Sequence, residues 1–238
     1  MTLYRDHGVV LRTYKLGEAD RIVVLMTAEH GKVRAVAKGV RKTKSRFGGR
    51  LEPLSHVSLL LYQGRELDVV SQAETLDHLR PLHDDLGRLT RGVAMLEAVD
   101  QLAQEREPNP RLYQMLVGAL RALSAADSPL LLGAFYWKVL AAEGLHPELE
   151  QCVACGSDEP IVAFDLDQGG VLCRACRRGA PISADALVLL RRVLGGELAA
   201  VLREPVGPAT HEVDALAVRA MEHHIERRLR SVEVLGQV

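Results

Sequence analysis

Two hydrophobic periods divide the chain. Over about the first 75 residues, apolar and polar positions alternate with a period of two between glycines, the pattern of short strands. Val9, Leu11 and Thr13 share one face of the first expected strand. In the second, Ile22, Val24 and Met26 lie on one face and Val23 and Leu25 on the other, so the strand is apolar on both sides and central. The third reads Lys32 to Lys38, with Val33, Ala35 and Ala37 inward and Lys32, Arg34 and Lys38 outward beside Val36. The fourth and fifth run from Val57 to Tyr62 and from Leu67 to Ser71, joined through Gln63-Gly64. Five short antiparallel strands fit a small closed or partly open barrel, and a small sandwich or SH3-like barrel gives the same count.

From Pro81 the period lengthens. Leu86, Leu89, Val93, Leu96 and Val99 recur at steps of three and four, the stripe of an amphipathic helix. Leu112, Leu116, Ala119 and Leu123 mark a second helix, and Leu131, Phe135, Val139 and Ala142 a third after Ser128-Pro129. Residues 186–202 read as one helix interrupted at Gly195-Gly196, or as two. Val218, Met221, Ile225 and Leu229 describe the last, with Arg227, Arg228 and Arg230 at its C-terminal dipole end. The expected fold class is therefore α+β: a barrel over residues 1–80, then a helical domain over 81–238.

Composition sharpens this division. The 238 residues are 47% hydrophobic and 26% charged, enough for a folded core. The formal net charge of −1 hides an asymmetry, because the first 80 residues carry 14 basic and 9 acidic side chains. A basic half followed by an acidic one points to a nucleic-acid-facing end and a protein-facing end. The start, Met1-Thr2-Leu3-Tyr4-Arg5-Asp6, lacks the pattern of a secretory signal, and no apolar run approaches the roughly 20 residues of a membrane span. A cytoplasmic protein that does not engage membranes is expected.

All four cysteines fall in one short stretch, Cys152-Val-Ala-Cys155 and Cys173-Arg-Ala-Cys176, with 17 residues between the pairs. This C-x2-C-x17-C-x2-C spacing is that of a zinc site, since each two-residue gap lets both thiolates of a knuckle approach one ion at roughly 2.3 Å. A hairpin between the knuckles, Ile161 to Asp165 and Gly169 to Leu172, completes a zinc ribbon over residues 150–180, inserted among the helices. Disulfides and free thiols are the competing readings, and a cytoplasmic chain disfavours disulfides. Four cysteines close the coordination sphere of one structural ion and leave no position for a catalytic water. His146-Pro147-Glu148 matches the H-x-E of zinc deaminases, but only three residues separate Glu148 from Cys152, and Gln151 stands where that signature has proline.

Between Glu29 and Glu52 no acidic residue occurs, yet Lys32, Arg34, Lys38, Arg41, Lys42, Lys44, Arg46 and Arg50 do, with Phe47 and three glycines among them. Such a density attracts phosphates, and Phe47 is the expected stacking partner for an exposed base. A basic loop can also meet an acidic protein. No phosphate-binding glycine loop, dinucleotide fingerprint or nucleophile motif is present, so neither a nucleotide cofactor nor an enzyme is indicated. A zinc-ribbon transcription factor and an RNA-binding barrel are the rival readings. No helix clusters the Arg, Asn and Gln suited to base edges, which weighs against the first.

The segments Gly17-Glu18-Ala19-Asp20-Arg21-Ile22-Val23, Gly31-Lys32, Ala37-Lys38-Gly39-Val40-Arg41-Lys42 and Phe47-Gly48-Gly49-Arg50-Leu51-Glu52-Pro53 resemble the RecO family of bacterial recombination mediators. So does the order of barrel, helices and inserted four-cysteine ribbon. The resemblance implies an OB-fold that binds single- and double-stranded DNA, strand annealing, partnership with RecR and SSB, assistance to RecA loading, and association with the nucleoid.

Overall fold

The computed structural model describes residues 2–235, with side chains through Val232. By packing, the described chain divides into two compact units, one through Ala126 together with the residues from Leu229 on, the other Asp127–Arg228. The helices that follow the barrel therefore belong with it up to Ala126, beyond the change of hydrophobic period near Pro81.

In the first unit, β1 (Leu3–Leu16), β2 (Asp20–Thr27), β3 (Gly31–Ala37), β4 (His56–Tyr62) and β5 (Asp68–Asp77) close a barrel in the order β1-β2-β3-β5-β4. Four of its pairings are antiparallel, but β3 and β5 meet in parallel, through Ala35 opposite Asp68 and Val36 opposite Val69. That closing pair corrects the all-antiparallel expectation and gives the five-stranded OB-like barrel. Its core is built from Val10, Val23, Leu25, Val33, Ala35, Val57, Leu59, Leu61 and Val70. A bulge between Val10 and Arg12 shifts the register of β1 against β2 and reverses which side chains face out. Val9, Leu11 and Thr13 consequently do not share a face, and Arg12, Tyr14 and Leu16 form the outward row.

Three helices follow: α1 (Pro81–Asp84), α2 (Leu86–Leu102) and α3 (Pro110–Ala125). Asp85 and Asn109 cap α2 and α3 by accepting from Arg88 N and Leu112 N. The buried side of α2 carries Gly92, Met95, Leu96 and Val99, whereas Leu86 and Val93 are exposed, so the expected stripe is rotated. Gly92 lies against Leu54, and a Cβ there would come within 2.9 Å of Leu54 Cδ2.

Polar joints tie barrel to helices. Asp100 of α2 receives Arg12 Nε at 2.8 Å, and its backbone oxygen receives Lys32 Nζ at 2.6 Å. His56, only 4% exposed, places Nδ1 2.6 Å from Asp77 Oδ2 and Nε2 2.7 Å from the Tyr113 hydroxyl. A neutral ring donating from Nδ1 to Asp77 and accepting from Tyr113 satisfies all three groups, the tautomer being assigned from this network. Burial holds His56 below its ordinary pKa against the pull of Asp77, with Arg121 and His7 adding to the depression. Burial also pushes the Tyr113 hydroxyl up to about 12, so it remains a donor. The unfolded histidine takes up a proton near pH 6.5, the folded one only at lower pH, so this contribution to stability is present above about 6.5 and declines below it. The first unit should melt at lower temperature at pH 5.5 than at pH 7.5. His56→Gln should flatten that dependence in thermal melts across the same range.

The second unit opens with α4 (Leu130–Ala142), continues through β6 (Ile161–Asp165), β7 (Gly170–Cys173) and β8 (Ala180–Pro181), and ends with α5 (Ala184–Leu194), α6 (Leu198–Val201) and α7 (Pro208–His224). Its three strands form one sheet, β7-β6-β8. Helix α4 is buried on nearly every side. Gly133 permits its close crossing with α7, where a Cβ would lie 2.8 Å from Asp214 Cα. Trp137 donates to Val213 O at 3.3 Å and meets Phe164 edge-on at 5.6 Å. The interrupted helix at Gly195-Gly196 is two helices. Helix α7 stops at His224, with Glu226 at φ 52°, so Arg227 and Arg228 follow the helix and do not occupy its last turn. Arg230 opens α8 (Arg230–Leu235), which returns to the first unit. There Glu97 of α2 accepts from Arg230 N at 3.1 Å and Ser231 N at 2.9 Å, a carboxylate at a helix start.

Candidate nucleic-acid interface and metal centre

Residues 38–55, between β3 and β4, hold the exposed cations of the basic segment. This connection is a chain of tight turns: Ser45 N donates to Lys42 O at 2.9 Å, Arg50 N to Phe47 O at 3.1 Å, and Glu52 N to Gly49 O at 3.2 Å. Its apolar residues Phe47, Leu51 and Leu54 are all buried, the first two within the barrel core. The turn between β1 and β2 and the first residue of β2 hold the other side. Gly39 N donates to Asp20 Oδ1 at 2.7 Å, Arg41 N to Ala19 O at 3.0 Å, and the Arg41 guanidinium to Gly17 O at 3.2 Å. Arg21 pairs with Glu52 at 2.5 Å.

With its apolar residues facing inward, the segment turns its cations to solvent. Lys38, Arg41, Lys42, Lys44, Arg46 and Arg50 are all exposed, and none is ion-paired among the described residues. Ser45, Arg46, Gly48, Gly49, Arg50 and Ser55, with Thr75 of β5, line an open cleft of about 550 Å³. Two exposed arginines, Arg50 also donating to Arg46 O at 3.0 Å, together with three hydroxyls and glycine backbone in one concavity offer donors to a phosphate oxygen. The three hydroxyl residues carry no local signal in the sequence, since only the fold brings Thr75 to Ser45.

The other residues expected at this site are placed differently. Phe47 is 1% exposed, so its ring belongs to the barrel core, with the Arg46 guanidinium 4.8 Å above it. It is not an exposed stacking platform. Lys32 has a side chain 13% exposed and bonded to Asp100, which commits its ammonium to the joint between barrel and α2. Arg34 is exposed but shares its charge with Glu105 at 3.6 Å, an exposed pair of little energetic weight.

In the second unit the four cysteine sulfurs lie within 4.8 Å of one another. Cys155 Sγ and Cys173 Sγ are 3.8 Å apart, the spacing of about 3.8 Å that a tetrahedron of sulfurs at roughly 2.3 Å from a common centre requires. The first knuckle is shaped by Cys152 N donating to Ser157 O and Gly156 N donating to Cys152 O, with Gly156 at φ 72°. A backbone N–H from Cys173 draws the Cys152 thiol down to about 6. The sulfurs of Cys155 and Cys173 beside it push Cys176 up to about 12. Four thiols at this spacing cannot all ionise without a cation among them, so the cluster suits a metal ion bound by thiolates. His146 and Glu148 do not join it. His146 Nδ1 lies 3.1 Å from Pro147 O, and the Glu148 carboxylate accepts Glu150 N at 2.7 Å.

An OB-like barrel with a cation-rich connection, joined in one chain to a helical unit carrying a four-cysteine cluster, defines a two-unit protein built on a basic β-barrel. The chain belongs to the recombination protein O family. The family model described as Recombination protein O N terminal matches residues 1–79, and the one described as Recombination protein O C terminal matches residues 83–233. Its role is therefore in DNA recombination and repair. No helix among the described residues is long and apolar enough to cross a membrane.

Proposed function

We propose that the chain is a non-enzymatic mediator of recombination that binds single- and double-stranded DNA without reading sequence, anneals complementary strands, and assists RecA loading together with RecR at strands covered by SSB. The observation that carries this reading is the set of six exposed cations with no ion pair among the described residues, Lys38, Arg41, Lys42, Lys44, Arg46 and Arg50, on a connection anchored to an OB-like barrel. Phosphate contacts of this kind position a strand and carry no sequence information. They also lower the repulsion between two strands, which favours pairing without nucleotide hydrolysis.

The four cysteines are assigned one structural zinc ion, on the chemistry of an all-thiolate tetrahedral site. The second unit serves protein partners in this reading. Trp137, Leu140, Leu145, Phe164, Ala220 and His223 line a cavity of about 370 Å³ there, suited to an apolar side chain of a partner. The protein would act in the cytoplasm, at the nucleoid.

The reading is tested by annealing of complementary oligonucleotides without ATP. Acceleration that is equal for unrelated sequences and lost at high salt is the expected result. Acceleration confined to one sequence would favour a sequence-reading factor, and none at all would remove the annealing role.

A further inference from the structure

With Phe47 inside the barrel, an exposed aromatic ring beside the cationic connection is found on β1. Tyr14 is 43% exposed on the outward row Arg12-Tyr14-Leu16 that the bulge creates. It stands opposite Ile22 of β2, which in turn stands opposite Val36 of β3. Ile22 and Val36 are half-buried, so the three side chains form an apolar strip across three neighbouring strands. Cationic side chains frame that strip, two of them shared with carboxylates. The Arg12 guanidinium, paired with Asp100, lies 5.0 Å from the Tyr14 ring centroid, and Val36 stands on the outward row of β3 between Arg34, paired with Glu105, and the exposed Lys38.

The strip also runs directly into the basic connection. Gly17 lies three residues beyond Tyr14, about 10 Å along an extended chain, and its carbonyl accepts from Arg41. A strand whose phosphates sit on Lys38 and Arg41 therefore has an aromatic face within one or two nucleotides of reach. A flat ring held by a guanidinium, bordered by β-branched side chains and by positive charge, is the chemistry that recognises an unpaired base on a polyanion. A duplex keeps its base faces stacked and cannot use it.

Resting on the mediator reading, we propose that Tyr14 is the base-stacking platform of the barrel and that Ile22 and Val36 form its floor, so that this face distinguishes single-stranded from duplex DNA. The connection supplies charge to both forms, and the strip adds affinity for one of them. Stacking of this type is worth about 1–3 kcal/mol per base, or roughly 5- to 150-fold in affinity.

The test compares full-length wild type with Tyr14→Ala and Tyr14→Phe on a labelled single-stranded oligonucleotide and on the matching duplex, each over a salt series. Tyr14→Ala should lose 5- to 150-fold on the single strand at every salt concentration, with an unchanged salt slope and unchanged duplex affinity. Tyr14→Phe should restore single-strand binding. Thermal melts of both variants check that the barrel is intact. Unchanged single-strand affinity in Tyr14→Ala, or an equal loss on both DNA forms, overturns the platform while leaving the mediator reading standing. Failure of the wild type to bind either form would instead remove the reading on which it rests.

Discussion

Replacing Lys38, Arg41, Lys42 and Arg46 together by glutamate is expected to lower affinity for single-stranded DNA by about a hundredfold or more at moderate salt. Two effects add in that variant. Four phosphate contacts are lost, and four carboxylates are set where the strand would pass. Little stability should be lost, because all four side chains are exposed and none forms an ion pair among the described residues. Among the described residues the side-chain hydrogen bond removed is that from Arg41 to Gly17 O, at 3.2 Å and in solvent. Fluorescence anisotropy with a labelled oligonucleotide, beside a thermal melt, separates the two quantities. A variant that melts like wild type and still binds like it would place the DNA site elsewhere, with Arg174 and Arg177 of the ribbon as the next positions to test.

Cys152→Ser, or prolonged chelation, is expected to unfold the ribbon. The ribbon's own core consists of Cys152, Ala163, Leu172 and Cys173, with Val153, Val162 and Cys176 packed on it. So small a cluster does not sustain a three-stranded sheet without a staple. Structural zinc in small folds supplies apparent binding energies of roughly 10 to 16 kcal/mol at neutral pH, which is folding energy when the site exists only in the folded state. The variant should lose one equivalent of bound metal, zinc in the proposed reading, and show a lower melting temperature or solubility. Its affinity for single-stranded DNA should change much less. Parallel losses in stability and DNA binding would show that the metal centre supports the DNA site itself.

The clustering of the four cysteines was legible because covalent spacing constrains it. Two residues between thiols leave few geometries, and the short apolar runs on either side of Asp167-Gln168-Gly169 read as the hairpin of strands Ile161–Asp165 and Gly170–Cys173. The barrel strands were legible for a similar reason. A period of two is local, and Val33, Ala35 and Ala37 point inward as it indicates. Closure was not local. The parallel meeting of β3 with β5 joins residues more than thirty positions apart, and no residue in either strand announces it. The bulge at Leu11 likewise has no composition signature, although it decides whether Tyr14 faces core or solvent.

The proposed DNA site stands out in the sequence as charge and not as geometry. A run of cations without counter-charge stands out in the sequence, but the partner of Lys32 is Asp100 on a helix that a one-dimensional reading cannot place beside it. Phe47 was misplaced for a related reason. Among cations and glycines its ring looks exposed, yet Leu51 and Leu54 follow at steps of four and three, and all three are buried. The apolar residues of that connection close the barrel core, and the fold holds the cations outward.

The most direct test of this account is binding of wild type and the four-glutamate variant to two unrelated single-stranded oligonucleotides across a salt series. Each neutralised phosphate contributes about 0.7 to the slope of log K against log salt on a single strand. The account predicts a steep slope for wild type, equal affinity for both sequences, and loss of both the binding and most of the slope in the variant. Equal binding and equal slopes for the two proteins would contradict it.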